Sequence, residues 1–455
     1  MTPGPRPTRR FHLTSIAALV GMSPEASRRA GVTMADQCVA SASNFVVGVA
    51  VARIAGAAGL GAYSLAYTCW ILMTNTHRSL ITDPMAILND VRREDAASRL
   101  REGFAAEVVL GVVASVVFAV VGVFLYFFGQ HAFGVAMIAM APWIAFLDLQ
   151  DYWRWIGFMN GKPGKSLLND TVFNCAQACA FIAVFLSGAS SVVSVISAWG
   201  FGALVGSIFG LRQFSVRPSL RGGLGLLRAR WHMSKWLAGN GALGWGGTQL
   251  YLVVVAVILG PAALGGLKAA QNLVTGPSSV VVHAGGSFGL PEASRALEDR
   301  GWVGLRRVSR LISGAGLLSI GFFGAIVVIW GGTLLRAFYG PSFGKYEPAA
   351  QLFAIAFVIT AFGLGPILTL KATKRTRPLL YCQVIGLVVS VPTVAISAIV
   401  DGVTGAAAGA VFTSAIGLAA LLYYQRSARL SLLAQTEATG HVELIDEPLT
   451  LPEST

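Results

Sequence analysis

The chain has 455 residues, of which 55% are hydrophobic and only 12% are charged, with a mean hydropathy of +0.66 and a formal net charge of +13. Soluble domains carry charges on about a quarter of their residues, so the composition excludes an ordinary soluble protein and predicts a membrane protein. The basic residues alternate with apolar segments and form no single patch, which argues against a nucleic acid as partner.

Long apolar segments recur along the whole chain. A spanning helix needs about 20 mainly apolar residues, because the hydrocarbon core of a bilayer is about 30 Å thick. The sequence therefore predicts an all-α polytopic membrane protein with about twelve transmembrane helices. Their predicted bounds are 33–54, 61–81, 104–128, 133–156, 168–188, 190–211, 236–259, 263–286, 309–332, 348–370, 378–400 and 402–424.

Lysine and arginine are distributed unequally between the two sides of the predicted spans. One side carries nearly all of them, whereas on the other side only Arg336 and Lys345 lie in a loop. By the positive-inside rule, both termini are predicted to be cytoplasmic, in a multi-pass protein of the inner (plasma) membrane. The segment before the first span is interpreted as a retained basic cytosolic arm, because it contains no apolar run long enough for a signal peptide.

A basic segment in the middle of the chain divides it into two halves of six spans. The predicted domains are a cytosolic arm at 1–32, an N-terminal bundle at 33–211, a cytosolic linker at 212–235, a C-terminal bundle at 236–424 and a disordered cytosolic tail at 425–455. Both bundles begin on the cytosolic side, so the repeats are predicted to be parallel and related by an axis along the membrane normal.

The opening hairpin of each half carries a similar glycine-rich sequence. GAAGLGAYSLA at 56–66 aligns with GPAALGGLKAA at 260–270 at an offset of 204 residues, which pairs Gly56 with Gly260 and Gly61 with Gly265. Both segments lie between the first and second span of their half. This pattern predicts an internal repeat in which each hairpin has a glycine hinge.

Several polar side chains lie deep in the predicted spans or toward the outer side. A charged side chain at the centre of a spanning helix costs about 2.5–3.5 kcal/mol, so such residues usually face a protein interior or a watery cavity. Lys268, Gln271 and Asn272 share a helix face that suits an anionic group such as a phosphate, and Asn44 and Arg53 lie in the first span. These five residues are predicted to bind substrate. Snorkelling of Lys268 to the surface and headgroup anchoring by Arg53 are the alternatives.

A second group of polar residues lies near the cytosolic ends of the predicted spans. Asp148, Asp151 and Arg154 follow one another at spacings of three and share a helix face, which indicates an ion pair at an inner vestibule or an interfacial helix end. Asp36 and Asp170 are candidate protonatable coupling sites, with helix capping as the alternative. The predicted ion-coupling or vestibule residues are Asp36, Arg78, Asp148, Asp151, Arg154 and Asp170. For Arg78 and the adjacent His77, contact with lipid headgroups at a helix end is favoured.

Sequence signatures of enzymes are missing. The GKPGKS segment at 161–166 lacks the spacing of a phosphate-binding loop, and the sequence has neither an HExxH motif nor a paired Cys/His zinc pattern. No catalytic residue, metal site or cofactor is therefore predicted. A membrane-embedded glycosyltransferase or polymerase is disfavoured because the predicted loops are short.

The N-terminal motifs resemble a known family. The order DQ, SNF, VARIAG, LGAYSLA and SLITDP, together with LLRAFYGPSFGKYEPAAQLF at 334–353, is similar to polysaccharide transporters. That family belongs to the multidrug/oligosaccharidyl-lipid/polysaccharide flippase superfamily. The superfamily groups O-antigen-type flippases, lipid II flippases and multidrug and toxic-compound extrusion exporters.

The resemblance implies a V-shaped pair of six-helix bundles around a central cavity with alternating access. Its implied cargo is a polyprenyl-diphosphate-linked oligosaccharide, whose diphosphate would suit Arg53 and Lys268. The implied partners are this lipid-linked glycan and membrane lipids, with glycosyltransferases or a polymerase of the same pathway as further candidates. The alternative is a cation-coupled multidrug or metabolite antiporter of the same superfamily, in which Asp36 could be the key acidic residue.

Overall fold

The structure is a computed structural model that describes residues 24–90, 94–217, 219–284, 289–375 and 377–438. Within these ranges the regular secondary structure is helical throughout. Short 3₁₀ segments lie at Ala141–Trp143 and Pro341–Tyr346. The α-helices are α1 Pro24–Leu80, α2 Thr82–Ile87, α3 Ala96–Phe127, α4 His131–Met140, α5 Ile144–Met159, α6 Pro163–Leu186, α7 Val192–Gln213, α8 Gly223–Ala284, α9 Leu290–Tyr339, α10 Glu347–Phe362, α11 Leu364–Ala372 and α12 Arg377–Ala438.

Nine helical segments of the described chain are long and apolar enough to cross a membrane. Large apolar side chains on several of them are exposed, including Phe127 at 80%, Leu186 at 78% and Val400 at 80%. Helices that are apolar on their outward faces are stable in lipid but not in water. The prediction of an all-α membrane protein is therefore confirmed.

Four of the long helices are interrupted at a glycine; in α9 this is Gly301, at φ 56°, and the other three lie near boundaries between predicted spans. The backbone has φ 68° at Gly56 in α1, φ 78° at Gly260 in α8 and φ 55° at Gly402 in α12. These angles lie in the left-handed region, which glycine adopts without steric cost. Each of the three glycines lies at or within a few residues of a boundary between two predicted spans, so each long helix consists of two apolar runs. The count of twelve spans stays a prediction.

The two hinges at Gly56 and Gly260 contact each other through their backbones. A Cβ atom on Gly61 would lie 1.7 Å from the carbonyl oxygen of Pro261, and a Cβ atom on Gly265 would lie 1.9 Å from that of Ala57. The offset of 204 residues converts the first contact into the second. The contact is thus reciprocal, as expected when two copies of one motif meet across a two-fold axis.

Left-handed glycines recur at equivalent places of the two halves. In chain order each half has one at the junction of its first and second, of its third and fourth, and of its fifth and sixth predicted spans. These pairs are Gly56 and Gly260, Gly129 and Gly340, and Gly188 and Gly402. The repeated plan therefore extends well beyond the hairpins in which the sequence similarity was visible.

The structure alters three of the predicted boundaries. Helix α1 begins at Pro24, inside the predicted arm, and residues 1–23 lie outside the described ranges. Helix α8 begins at Gly223, so the second part of the predicted linker is helical. Helix α12 continues to Ala438, so the prediction of a disordered tail is wrong for residues 425–438. The sequence there, QRSARLSLLAQTEA, contains neither glycine nor proline, so it has no residue that strongly disfavours helix.

Candidate functional site

A histidine and two carboxylates meet in the interior of the N-terminal helices. The Nδ1 atom of His77 lies 3.2 Å from Oε1 of Glu107 and 3.2 Å from Oδ2 of Asp148. The exposed fractions of these residues are 5%, 3% and 1%. Asp148 also accepts hydrogen bonds from Trp70 at 3.0 Å and from Thr74 at 2.7 Å. We refer to His77, Glu107 and Asp148 as the His77 cluster.

An arginine one residue further along α1 pairs with the same helix α5. The guanidinium of Arg78 donates two hydrogen bonds to the Asp151 carboxylate, at 2.6 Å from Nε and 2.5 Å from Nη2. It also lies over the ring of Trp155, 5.2 Å from the ring centroid. Such bidentate pairs combine charge attraction with fixed geometry. The pair therefore ties α1 to α5 beside the His77 cluster.

A second arginine of α5 pairs with α6. Nε of Arg154 lies 3.0 Å from Oδ2 of Asp170. Gln150 donates to Asp170 at 2.8 Å and to Asn169 at 3.2 Å, and Asn169 in turn donates to the carbonyl oxygen of Gly206 at 3.0 Å. Helices α1, α3, α5, α6 and α7 are thus joined by one series of buried polar contacts.

The charges in this series do not cancel completely. The two arginine pairs are neutral, whereas the His77 cluster has two carboxyl groups for one imidazole. With His77 protonated and both carboxylates ionised, the cluster would carry a net negative charge in a buried site. Unpaired charge is costly there, so a neutral cluster needs one further proton or a bound cation. One potential ligand atom from each of the three residues lies within 4.8 Å of the others, which is close enough to share a cation.

The structure brings together five of the six residues predicted for ion coupling or a vestibule. The three aspartates are buried and the two arginines are partly exposed. They pair across helices, so the predicted shared-face ion pair among Asp148, Asp151 and Arg154 is wrong. The favoured headgroup contact of His77 and Arg78 is also wrong, because both side chains contact carboxyl groups inside the protein. The alternative that Asp170 caps a helix fails because α6 begins at Pro163. The side chain of Asp36 lies outside the described residues.

The sequence analysis missed Glu107. This residue stands near the start of the third predicted span, in FAAEVVLGVV, and is the only acidic residue within it. An acidic residue in an apolar span marks a functional or paired position, and that signal was available. The buried ion pair between Arg230 and Asp90 was missed as well, because its partners lie in segments predicted to be cytosolic loops.

A separate polar group lies beside the Gly260 hinge. Nζ of Lys268 donates to Oε1 of Gln271 at 3.0 Å, and Nε2 of Gln271 donates to the hydroxyl of Tyr251 at 2.7 Å. Lys268 is half-buried, and no carboxylate of the described chain lies within 4.0 Å of its ammonium group. The predicted Lys268–Gln271 face therefore exists, and it presents a positive charge that no carboxylate of the described residues neutralises.

The other predicted substrate-binding residues are placed differently. Arg53 is exposed and donates to the carbonyl oxygen of Phe338 at 2.7 Å and to that of Ala337, so it caps the C-terminal end of α9. The amide of Asn272 packs against Gly48, where a Cβ atom would lie 2.9 Å from its Nδ2. Asn44 is exposed. Binding of substrate by these residues stays a prediction, and capping by Arg53 was not foreseen.

Comparison with known protein structures shows the same fold in transporters. An inward-facing multidrug resistance MATE family transporter of the MOP superfamily matches with a TM-score of 0.70 and 14% identity, covering 93% of this chain and 98% of its own. An outward-facing one matches with a TM-score of 0.63 and 13% identity, covering 92% and 98%. A MOP superfamily transporter from Pyrococcus furiosus, described as having a binding pocket of reverse polarity, also matches with a TM-score of 0.63 and 13% identity, covering 92% of this chain and 98% of its own.

Comparison with curated proteins gives no match. The profile of one family does match, that of the polysaccharide biosynthesis proteins, over residues 27–296. This range is more than half of the chain and includes both glycine hinges, the His77 cluster and Lys268. The chain therefore belongs to the polysaccharide biosynthesis protein family, and its fold is that of the MOP superfamily transporters.

Proposed function

We propose that the protein is a flippase that moves a polyprenyl-diphosphate-linked oligosaccharide or polysaccharide precursor across the inner membrane. The family match over residues 27–296 is the observation that carries this proposal. A lipid-linked glycan has a polar head that must cross the hydrocarbon core and a lipid tail that need not leave it. A transporter that opens to each side in turn can accept the head while the tail stays in lipid.

The proposed transporter has twelve spans in two parallel six-helix bundles, at 33–211 and 236–424, with both termini in the cytoplasm. The reciprocal contact of the two hinges supports this arrangement, as do the left-handed glycines at equivalent places of each half. Rocking of one bundle against the other about the hinges would alternate access. The basic segments between spans would remain on the cytosolic side throughout.

Lys268 is the residue proposed to attract the diphosphate of the cargo. Its ammonium group has a hydrogen-bonding neighbour, Gln271, but no carboxylate partner among the described residues. A cation without a counterion attracts an anion strongly in a low-dielectric site. Arg53, Asn44 and Asn272 are proposed to complete the polar path near it.

The His77 cluster is proposed to couple transport to a proton or another cation. Its three groups need one further positive charge to be neutral, and they join helices α1, α3 and α5. Gain or loss of that charge would change how these helices pack. The cluster also favours a second candidate function, a cation-coupled drug or metabolite antiporter of the same fold, in which Asp36 and the cluster would serve the coupling ion.

The experiment that tests the proposal is a sidedness assay of lipid-linked glycan. In a strain that lacks the gene, labelled precursors should accumulate on the cytosolic leaflet, and the intact gene should relieve that accumulation. A strain that carries Lys268→Ala should keep the accumulation although the protein is present in the membrane. No accumulation on deletion, together with changed sensitivity to cationic drugs, would instead support the antiporter.

A further inference from the structure

A groove of about 420 Å³ lies between α9 and α12, away from the hinges and from the His77 cluster. This volume lies within the range of about 300–1,000 Å³ that small-molecule sites occupy. Four arginines line it: Arg306 and Arg310 from α9, and Arg426 and Arg429 from α12. We refer to it as the arginine groove. Nothing in the proposed transport path requires it.

The four guanidinium groups have no acidic partner in the part of the chain that the structure describes. None of the residues that line the groove is acidic, and no described carboxylate lies within 4.0 Å of any of the four arginines. Other arginines of the chain are paired: Arg78 with Asp151, Arg154 with Asp170, and Arg230 with Asp90. Like charges gathered in one concave site repel one another, so they create a strong attraction for an anion.

Two residues that line the groove each have a donor without a partner in the described chain. Nε of Arg429 and the indole Nε1 of Trp302 are both buried and make no hydrogen bond to the described chain. A buried donor without an acceptor costs about 1–3 kcal/mol. Gln425 is by contrast held in place, since its Nε2 donates to Thr369 at 3.2 Å. Arg429 and Trp302 thus each have one donor that the described chain leaves unsatisfied.

The predicted span bounds place the groove at a membrane boundary. Span nine is predicted to begin at residue 309 and span twelve to end at residue 424, and the four arginines lie close to these two positions on the side predicted to be cytosolic. Arginine binds phosphate oxygens through two parallel N–H groups. Basic pockets between spanning helices at this level bind phosphate-bearing headgroups.

We propose that the arginine groove binds a phosphate-bearing anion with at least two negative charges. Its source is either the headgroup of an anionic phospholipid or a soluble diphosphate. The groove is formed by residues 302–429, which lie beyond the family match at 27–296. The proposal therefore holds whether or not the cargo is a lipid-linked glycan.

The test uses the full-length protein purified in detergent, with cardiolipin, inorganic pyrophosphate and a neutral phosphatidylcholine as probes. Bound lipid is counted by native mass spectrometry, and affinity for each probe is measured from the rise in thermal stability. Arg426→Gln combined with Arg429→Gln should weaken binding of the preferred anion by about tenfold or more, since it removes charge-assisted hydrogen bonds. Arg221→Gln combined with Arg228→Gln is the matched control, because these exposed arginines lie outside the groove.

Each outcome of this test either supports or overturns the proposal that the arginine groove binds an anion. Binding of cardiolipin alone supports the proposal and identifies the anion as a phospholipid headgroup. Binding of pyrophosphate alone supports it and identifies the anion as a soluble diphosphate. In both cases the control double variant must bind like the unchanged protein. Equal weakening in both double variants, or no preference of the unchanged protein for either anion over phosphatidylcholine, overturns the proposal. If Arg426→Gln with Arg429→Gln fails to fold, Arg306→Gln with Arg310→Gln gives the same test, because both of these side chains are exposed.

Discussion

Lys268 is partly buried and has no counterion among the described residues. A charged side chain within a spanning segment is energetically unfavourable and therefore marks a functional position. We expect Lys268→Met to abolish most transport of lipid-linked glycan while the folded protein persists, because methionine keeps much of the side-chain length and removes the charge. Transport is measured from the distribution of labelled precursor between the two leaflets. Folding is measured by size-exclusion chromatography of the detergent-solubilised protein. Lys345→Met is the matched control, since Lys345 is exposed. Normal transport by Lys268→Met would contradict the role.

The His77 cluster supports a prediction about stability. His77→Gln removes the imidazole that contacts both Glu107 and Asp148, and with it the positive charge that a protonated His77 supplies to these two buried carboxyl groups. Removing one partner of a buried ion pair costs about 3–5 kcal/mol, so we expect a markedly lower thermal unfolding midpoint. Adding Glu107→Gln to His77→Gln should recover part of that loss, because it removes one of the two stranded carboxylates. His131→Gln, on an exposed histidine, should change little. Additive losses in the double variant would show that the residues do not interact.

Single-residue properties explain which of these features the sequence could predict. Lys268 and the acidic residues of α5 were recognisable because charge is rare in apolar spans. The partners of these residues could not be recognised, because pairing depends on which helices pack against one another. The sequence alone does not show how the helices pack. Arg53 shows the same limit: its acceptors, Phe338 and Ala337, lie 284 or more residues away along the chain.

At the scale of elements, the glycine hinges decide how closely α1 and α8 approach. Gly61→Ala and Gly265→Ala would each place a Cβ atom less than 2 Å from a backbone oxygen of the opposite hinge. The backbones must separate to admit it, so we expect each substitution to destabilise the protein by about 1–3 kcal/mol. Thermal unfolding in detergent measures the change.

Gly321→Ala is the control for the hinge substitutions. Gly321 lies inside helix α9, and a Cβ atom there would meet nothing within 4 Å. Alanine has a higher helix propensity than glycine by about 1 kcal/mol, so this substitution should be neutral or stabilising. Equal loss of stability at positions 61 and 321 would refute the close contact between the hinges.

The hinges also show what a sequence repeat can predict. The match between 56–66 and 260–270 identified two similar hairpins, and the structure gives Gly56 and Gly260 nearly the same backbone angles. That the hairpins touch each other could not be read from the match, since similarity does not indicate proximity. The repeat of Gly129 and Gly188 as Gly340 and Gly402 was hidden because the residues around them differ.

At the scale of the whole molecule, the two halves are joined along α1 and α8 well beyond the hinges. The hydroxyl oxygens of Ser41 and Ser279 lie 2.8 Å apart, and Trp245 donates to the carbonyl oxygen of Thr68 at 2.9 Å. Ser41 is fifteen residues from Gly56, which is about 22 Å along a helix at 1.5 Å per residue. The proposed alternation of access therefore has to break contacts that extend across much of the membrane.

A reversible cross-link tests that requirement. Ser41→Cys with Ser279→Cys, in a protein whose five native cysteines are replaced, should form a disulfide on oxidation because the two side chains already touch. We expect oxidation to stop glycan transport and a reductant to restore it, since the covalent bond holds the halves together at a point that rocking must separate. The matched control is Ser191→Cys with Ser194→Cys, whose hydroxyl oxygens are also 2.8 Å apart but lie within one turn at the start of α7. Its disulfide should leave transport unchanged. If the fully cross-linked 41–279 protein transports at the normal rate, the halves do not separate at Ser41 and Ser279. The axis of motion then passes near these two residues, and the hinges at Gly56 and Gly260 are not the pivot.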